Sequence, residues 1–418
     1  MKLILPQAGQ DSAAPQLEQQ PIGAKSKKQL FRLANTMPLA IVVAALLAAL
    51  AAALAGGIAQ SRYAQDSAIH RVGTLMDIRA ASLRQWLEGI EADLGLLSSD
   101  EFSQEALKAF DEAWRTLGGG AETQLQQLYI EANPHETGQK HLLVDAGDGS
   151  AYSTAHRRYH PHFRRYLDAR GYYDLFLIDN DGDIIYTVFK ELDYATNVLH
   201  GRYASSGLGT VFQQAKDAAP GSIAFVDFAP YAPSHQAPAS FMAMPVFNAD
   251  GARLGVVALQ MPIDRLNNLM TDETGMGSTG RQFVVGADGL MRSQLRGVTE
   301  STLLSLKLDL PAVTAALAGQ SGVVRSAGID GAPAVISYRP FAYRGVNWAF
   351  IATADEDEIN APARRALGQM AVGAAIVVIV LALAGIWLGR RLVAPMLALS
   401  SATRQLAQGD KAVTIPAT

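Results

Sequence analysis

Two long uncharged apolar segments constrain this chain more than any other feature of its sequence. Residues 33–61 contain no charged side chain, and neither do residues 366–389. Each segment is long enough to cross about 30 Å of hydrocarbon as an α-helix, so we expect transmembrane helices at residues 37–59 and 366–389. The apolar part of the first segment begins only at Met37, which favours an uncleaved membrane anchor over a secretory signal peptide.

Basic residues beside these segments predict the orientation of the chain. Because Lys and Arg concentrate on the cytoplasmic side of membrane helices, we expect an N-terminal tail at residues 1–36 and a C-terminal segment at residues 390–418 in the cytoplasm. The region between the helices is then periplasmic, and the protein is a multi-pass protein of the inner (plasma) membrane. The basic residues are Lys25, Lys27, Lys28 and Arg32 before the first helix, and Arg390 and Arg391 after the second.

The composition excludes several classes of function. The chain has no cysteine, which removes disulfides and thiol chemistry, and its net charge of −4 provides no basic surface for nucleic acid. No serine stands in a G-x-S-x-G motif, and no glycine-rich phosphate loop follows a predicted strand. We therefore expect no catalytic residue, no cofactor and no nucleic-acid partner for this chain.

The region between the two apolar segments changes from helical to strand-like periodicity. Residues 60–120 have apolar side chains at helical spacing and end at three successive glycines, which predicts a long helix. Five short runs rich in branched and aromatic residues then predict one antiparallel sheet, with a tight hairpin turn at Asp181 and Gly182. The runs are YDLFLID, DIIYTVFK, SIAFVDF, SFMAMPVF and LGVVALQM, between Tyr172 and Met261.

A second set of strand-like segments repeats the first in the same order. FLIDNDG at residues 176–182 recurs as FVVGADG at residues 283–289. ASFMAMPV recurs as AVISYRPF, and VALQMPIDRLN as FIATADEDEIN, in a copy that is shorter overall. The repeat predicts two related α/β modules, a membrane-distal one at residues 121–271 and a membrane-proximal one at residues 272–365. Chance similarity among short strand patterns is the alternative.

This arrangement resembles the double Cache (dCache) sensor region of bacterial transmembrane receptors. The resemblance covers roughly residues 60–365 and is carried most specifically by FKELDYATN at residues 189–197 and DFAPYAPS at residues 227–234. Membership implies a mixed α/β (α+β) fold with two PAS-like antiparallel sheets, a ligand pocket in the distal module and signal relay through the proximal one. Such sensors occur in chemotaxis transducers, histidine kinases and nucleotide cyclases.

The segment after the second apolar run resembles the first helix of a HAMP linker. Seam residues from Leu392 to Leu406 follow one another at spacings of 4, 3, 4 and 3, which suits a parallel helical bundle. The resemblance implies a homodimer; an ordinary amphipathic helix beside the membrane is the alternative. Because a HAMP bundle needs a second helix, we expect the chain to be truncated or the receptor incomplete. The residues to which the resemblance assigns signal relay are Pro395, Leu399, Leu406, Gly409 and Asp410.

Polar residues at apolar strand positions are the candidates for ligand binding. A buried polar group costs free energy unless it has a partner, so each such residue is either paired inside the protein or available to a ligand. The arginine and the adjacent tryptophan and tyrosine of amino-acid-binding double Cache sensors have no counterpart here, so we do not expect amino-acid recognition of that type. The candidates are Tyr186, Lys190, Asp193, Asn197, Asp227, Tyr231 and Ser234.

Two other clusters resemble metal sites only superficially. Residues 179–183 begin like an EF-hand loop, but the glycine and the glutamate that this loop needs further along are absent, so we predict a hairpin turn. His156, His160 and His162 are surrounded by arginines. Pro161 should interrupt their helix, so we predict a solvated or anion-facing basic patch and no metal ion.

These observations predict a transmembrane chemoreceptor without enzymatic activity of its own. A small extracytoplasmic ligand would bind the distal module, and the second membrane helix would pass a conformational signal to the HAMP linker and to downstream signalling proteins. The sensor portion of a histidine kinase or a nucleotide cyclase is the first alternative. A membrane-anchored solute-binding protein without output is the second.

Overall fold

The computed structural model describes residues 24–388, 391, 399, 402, 403 and 405–407. The chain divides into two compact units, Ala64–Ala361 and the flanking segments Met1–Tyr63 with Pro362–Thr418. The helices are α1 (Ala24–Ser99), α2 (Glu101–Leu117), α3 (Ala121–Gln126), α4 (Ala151–Arg170), α5 (Gly207–Ala215), α6 (Ile263–Thr271), α7 (Pro311–Leu317) and α8 (Glu356–Leu388). The strands are β1 (Asp174–Ile178), β2 (Ile184–Thr187), β3 (Ala224–Tyr231), β4 (Ala237–Phe247), β5 (Arg253–Gln260), β6 (Arg281–Val285), β7 (Gly322–Ala327), β8 (Pro333–Tyr343) and β9 (Val346–Asp355).

Helices α1 and α8 carry the two apolar segments. The stretches Val43–Ser99 and Glu356–Trp387 are long and apolar enough to cross a membrane. Large apolar side chains in these stretches are exposed; Leu47, for example, is 63% exposed. Exposure of so many apolar side chains to water would be unfavourable. Within the flanking unit the two helices approach closely at Gly57, where a Cβ atom would lie 2.2 Å from Leu367 Cδ2.

The first module is an antiparallel sheet with the strand order β2-β1-β5-β4-β3. Alternate residues of a strand face opposite sides of a sheet. Leu175 and Leu177 of β1 therefore join a core shared with α1, α2 and α4, whereas Phe176 and Ile178 face α5. All five strand segments predicted for this module are present, and each face of the sheet has its own hydrophobic core.

The second module is an antiparallel sheet with the order β6-β9-β8-β7. Strands β6, β8 and β9 contain the repeated sequence segments, and they stand in this sheet where β1, β4 and β5 stand in the first. Among the described residues, no strand corresponds to β2; isolated bridges at Leu290 and Met291 lie in its place. The predicted fold, with a long N-terminal helix and two tandem antiparallel-sheet modules, is confirmed.

The helix predicted for residues 60–120 is divided in the structure. α1 ends at Ser99, and the Asp100 side chain begins a new helix by accepting a hydrogen bond of 3.2 Å from the Ser103 N–H. An aspartate at this position satisfies a backbone donor that a helix N-terminus leaves free. The three glycines that were predicted to end the helix form a single 3₁₀ turn, Gly118–Gly120, after α2.

Helix α4 continues through Pro161, so the interruption predicted there is wrong. Proline removes one backbone donor and crowds the preceding turn. Here Tyr159 and Phe163, two positions before and after the proline, are buried in the core that α4 shares with the sheet. Tertiary packing therefore outweighs the local cost of the proline.

The turn between β1 and β2 is the predicted hairpin. Asp179 Oδ1 accepts hydrogen bonds of 2.9 Å from the N–H groups of both Asp181 and Asp183. Gly182 has a φ of +85°, in the region that favours glycine. The Asp179 side chain thus stabilises the turn by binding backbone N–H groups of the same acidic segment, residues 179–183.

Candidate ligand-binding site

Asp193, Tyr231 and Ser234 come together at one end of the first sheet. Tyr231 is the last residue of β3, and its ring packs against Phe241 at a centroid distance of 4.9 Å, on the face covered by α5. The Tyr231 hydroxyl donates a hydrogen bond of 2.5 Å to Asp193 Oδ2. Ser234 Oγ donates one of 2.5 Å to Oε2 of the neighbouring Glu191. Three of the seven predicted residues therefore share one polar cluster.

Two further residues, Asp174 and Gln260, belong to this end of the sheet. Asp174 begins β1, Gln260 ends β5, and the two are direct partners in the strand pairing. By strand alternation both lie on the α5 face, with Phe176 and Ala258. Sequence reasoning missed them, although each is the polar residue at the end of an apolar strand, and that is the signal that could have found them.

Three buried oxygen atoms in this cluster lack hydrogen-bond donors. Asp174 Oδ1 accepts bonds from three backbone N–H groups, the shortest from Leu175 at 2.7 Å. In contrast, Asp174 Oδ2, Asp193 Oδ1 and Gln260 Oε1 accept none from any residue that the structure describes. Leaving a buried acceptor unpaired costs about 1–3 kcal/mol. We call Asp174, Asp193 and Gln260 the acceptor cluster.

The carboxyl groups of the acceptor cluster and of the nearby Glu191 repel one another when they are ionised. Burial raises the pKa of Asp193 to about 7, and the nearby Glu191 carboxylate adds to the shift while the Tyr231 hydrogen bond opposes it. Burial also raises the pKa of Asp174 well above its usual value, with repulsion from Asp193 and Glu191 as further causes. A positively charged group would remove this repulsion and supply the missing donors.

Lys190 and Tyr186 lie against the helices on the other side of the sheet. Lys190 follows β2 with a φ of +61°, and its side chain is 2% exposed. Its Nζ donates hydrogen bonds to the carbonyl oxygens of Thr187 and Val188 and lies 4.6 Å from the centroid of the Tyr186 ring. Burial lowers the pKa of Lys190, and the charge of Asp174 opposes that shift.

The histidines of α4 contribute to the same aromatic core. His160 Nδ1 and the Tyr186 hydroxyl are hydrogen-bonded at 2.7 Å, and the rings of His156 and His160 stack at 4.3 Å. Both histidines are fully buried, so the solvated basic patch predicted there is wrong for these two. Burial, reinforced by the nearby Lys190 charge, lowers the pKa of His160 to about 2 and that of His156 well below its usual value. Both rings are therefore neutral.

Asp227 lies at the junction of the two modules rather than in the acceptor cluster. A bulge interrupts β3 between Val226 and Ala229, and Asp227 lies within it. Its Oδ2 accepts a hydrogen bond of 3.0 Å from Arg292 Nε and forms an ion pair with Arg292 Nη2 at 2.9 Å. Its Oδ1 accepts a hydrogen bond of 2.8 Å from Trp348 Nε1. Arg292 and Trp348 belong to the second module, so this carboxylate ties the two sheets together.

Asn197 stabilises the β1–β2 hairpin. Its Nδ2 donates hydrogen bonds to the Asp181 carbonyl at 3.0 Å and to Asp183 Oδ1 at 2.8 Å. Its Oδ1 accepts bonds from the N–H groups of Leu199 and His200 at 2.8 and 2.9 Å. The amide is thus fully paired within the protein and lies apart from the acceptor cluster.

The residues assigned to signal relay lie at the C-terminal end of the chain. Pro395, Gly409 and Asp410 are outside the described residues. Leu399 and Leu406 are helical and about half exposed. Thr403 Oγ1 donates a hydrogen bond of 2.7 Å to the Leu399 carbonyl, as expected within one helix. The seam therefore stays a prediction.

The described architecture is a long helix and two related antiparallel sheets in tandem, with an apolar helix on each side. It is the architecture that the sequence predicted for the sensor region of a membrane receptor. A Cache domain model matches residues 61–363 of the chain. The chain therefore belongs to the Cache domain family, and the resemblance to double Cache sensors is confirmed. Cache domains are extracellular sensors of membrane receptors, and here two apolar helices flank the sensor.

The chain is also similar, at low sequence identity, to several solved structures of receptor domains. The ligand-binding domain of the Pseudomonas fluorescens chemoreceptor CtaA with L-isoleucine is 15% identical, with 72% of this chain and 98% of that chain covered and a TM-score of 0.40. The Pseudomonas aeruginosa chemoreceptor PctC with GABA is 15% identical, with 68% and 97% covered and a TM-score of 0.40. The extracellular domain of the putative histidine kinase vpHK1S-Z8 is 12% identical, with 75% and 99% covered and a TM-score of 0.41. No curated protein sequence matches the chain.

Proposed function

We propose that this chain is the sensing part of a homodimeric transmembrane receptor and that the acceptor cluster of its distal module binds a small extracytoplasmic solute. The observation that carries the proposal is the set of three buried oxygens without donors on the α5 face of the first sheet. Proteins rarely keep such groups unless they serve a purpose. A solute that supplies the donors would be bound more tightly than one that does not.

The junction at Asp227 supports a route for the signal. Tyr231, whose hydroxyl donates a hydrogen bond to Asp193, is the last residue of β3, and Asp227 lies in the same strand. Asp227 in turn contacts Trp348 in β9, and β9 passes into α8 without a connecting loop between Asp355 and Glu356. A change of packing at the acceptor cluster would therefore reach α8 through paired side chains and a strand.

We propose that α8 carries this change through the membrane to a HAMP linker, with both termini in the cytoplasm and the sensor in the periplasm. The leading output is chemotaxis through downstream signalling proteins, and the chain itself performs no catalysis. A histidine kinase or nucleotide cyclase output is the alternative, and a membrane-anchored solute-binding protein without output is the third possibility. The sequence that follows residue 418 in the gene distinguishes them, since a long helical hairpin and a nucleotide-binding domain have different patterns.

Thermal unfolding of the full chain in lipid nanodiscs tests the sensing function. A panel of small metabolites of each charge type is added, and a solute present at 100 times its Kd should stabilise the sensor by about 2.7 kcal/mol. The Asp193→Asn variant, which removes a charge from the acceptor cluster, should lose the stabilisation while remaining folded. A folded protein whose melting temperature responds to no compound would contradict direct sensing of a small solute.

A further inference from the structure

The segment between α6 and β6, residues 272–280, begins where α1 binds the end of α6. Arg79 of α1, which is 5% exposed, donates hydrogen bonds to the carbonyl oxygens of Leu269 at 2.9 Å and Met270 at 3.3 Å. It donates another, of 2.5 Å, to the Asp272 carbonyl. A cation is favourable here because the last carbonyl groups of a helix lack partners within the helix. The start of the segment is therefore fixed to α1.

The end of the same segment is bound to α8 by one carboxylate. Glu358 lies in the first turn of α8, and its Oε1 accepts a hydrogen bond of 2.8 Å from the Ser278 N–H. Its Oε2 accepts one of 2.8 Å from the Thr279 N–H and one of 2.5 Å from the Thr279 hydroxyl. The Thr279 hydroxyl oxygen accepts a further bond of 3.1 Å from the Asp355 N–H, at the end of β9. Hydrogen bonds to an ionised group are about twice as strong as neutral ones, so the segment is held firmly to α8.

The backbone of the segment leaves room for this carboxylate. Gly277 has a φ of +72°, and a Cβ atom at this position would collide with Glu358 Oε1. A side chain there would therefore strain the backbone and displace the carboxylate. Arg296 supports the segment from the second module, because it donates hydrogen bonds to the carbonyl oxygens of Gly277 at 3.0 Å and Gly280 at 2.8 Å.

Helix α6 connects the segment to the first sheet. Strand β5 ends at Gln260 and α6 begins at Ile263, so only two residues separate them. Leu266 and Met270 of α6 are buried in a core that contains side chains from both sheets. A displacement at the end of β5 would therefore move α6 and the segment that follows it.

These contacts join α1, the first module and α8 at one place. We propose that residues 272–280 form a clamp that fixes the first turn of α8, and that α8 takes a second position when the Glu358 carboxylate leaves Ser278 and Thr279. This inference rests on the proposed function, which assigns the signal to α8, and it adds a second route beside that through Asp227.

The other contacts at the start of α8 would allow such a movement. Ile359 packs in a small apolar cluster with Val335 and Ala354, and Gln65 Nε2 of α1 donates a hydrogen bond of 3.0 Å to Asn360 Oδ1. A shift of α8 would rearrange a few apolar contacts and one neutral hydrogen bond without opening a large core. Release of Glu358 is therefore the step that separates the two positions.

Hydrogen exchange of the full chain in nanodiscs tests the clamp without any solute. Glu358→Ala removes the acceptor of the Ser278 and Thr279 amides, so both should exchange about tenfold faster or more than in the parent. Gly277→Ala keeps the carboxylate but displaces it, and it should have the same effect. If Glu358→Ala does not fold, Glu358→Gln, which keeps one acceptor oxygen, takes its place.

Spin-label distances in the same variants measure the position of α8. Labels are attached through Thr314→Cys in α7 and Arg365→Cys in α8, because both positions are exposed and the chain has no other cysteine. An excess of unlabelled cysteine-free chain restricts the measurement to distances within one chain. Each clamp variant should show a second population of distances that the parent lacks.

Two matched variants control for effects on the helix and on the backbone. Glu356→Ala also removes an acidic side chain from the first turn of α8, where it interacts favourably with the helix N-terminus. Its ion pair with Arg325, at 3.7 Å, is partly exposed and should contribute little. Gly297→Ala places a Cβ atom at a φ of +80° where it would meet no other described part of the chain. Both should match the parent in exchange and in distances, and thermal unfolding verifies that every variant is folded.

Three results would overturn the clamp. The first is unchanged exchange at Ser278 and Thr279 in both clamp variants. The second is faster exchange with an unchanged distance distribution, because the segment would then bind α8 without holding it. The third is an equal change of distances in Glu356→Ala, because any alteration of the first turn would then suffice. None of these measurements uses a solute, so a failed metabolite panel would reject the sensing function without altering these outcomes.

Discussion

Protonation of Asp193 makes stability depend on pH. Its pKa rises from the usual 3.8 to about 7 in the folded protein, so between these values the folded state holds a proton that the unfolded state has released. The proton bound by Asp193 therefore stabilises the folded state fully below about pH 4. This stabilisation is lost as the pH rises to about 7, at about 1.4 kcal/mol for each pH unit. Asp174 acts in the same direction, because its pKa is also raised.

Denaturation of the ligand-free full chain at several pH values between 4 and 7 measures this dependence. The Asp193→Asn variant should have a flatter profile than the parent over the same range. Exposed Asp250 provides the matched control, because Asp250→Asn changes a carboxyl in the turn between β4 and β5. A parent profile that is flat, or that rises with pH through the contribution of these groups, would show that the buried carboxyls are ionised.

Local sequence identifies some site residues and not others. Tyr231 and Ser234 could be found because they belong to the distinctive segment DFAPYAPS at residues 227–234. Asp193 could be found because it belongs to the distinctive segment FKELDYATN at residues 189–197. Asp174 and Gln260 have ordinary positions at strand ends, and only the pairing of β1 with β5 makes them neighbours. Asp227 was singled out for interrupting an apolar run, but its partners are in the second module and could not be inferred from adjacent residues.

At the level of elements, the strand periodicity and the internal sequence repeat were sufficient to predict both sheets. Strands β1 and β6 share their sequence pattern because each is the first strand of its sheet and almost all of its residues are buried. The boundary between α1 and α2 and the continuity of α4 through Pro161 were not predictable in the same way. The first depends on one capping side chain, and the second on packing against residues distant in sequence.

The bulge in β3 leads to a prediction about the junction of the modules. Asp227→Ala would leave the Trp348 indole without its acceptor and Arg292, which is 5% exposed, with Asp288 as its remaining acidic partner. We expect a loss of about 2–4 kcal/mol in the free energy of unfolding. Solute binding at the acceptor cluster should persist, because Asp227 is not part of it. Chemical denaturation and calorimetry of the full chain measure the two effects.

Asp288→Ala is the matched control for the junction. It removes the other carboxylate that pairs with Arg292, but that side chain is 47% exposed, so the loss should be below about 1 kcal/mol. If the two variants lose equal stability, the buried pair does not join the modules as described. If Asp227→Ala instead abolishes ligand binding, Asp227 belongs to the binding site after all.

For the whole molecule, the absence of cysteine gives a direct test of orientation. Single cysteines are introduced by Ser12→Cys, before the first apolar segment, and by Asp250→Cys, in the exposed turn of the first module. In intact spheroplasts a membrane-impermeant maleimide should label position 250 and leave position 12 unlabelled until the cells are lysed. The cysteine-free parent is the control, and the reverse labelling pattern would invert the proposed topology.

The unpaired oxygens of the acceptor cluster also bear on how long the receptor persists in a cell. Each acceptor without a donor lowers the stability of the empty protein by about 1–3 kcal/mol, and a solute that completes the hydrogen bonds restores it. Differences of this size change the fraction of molecules open to proteases. Under the proposed function, the solute would therefore set the abundance of its own receptor, with slow turnover where the solute is plentiful and rapid clearance where it is scarce.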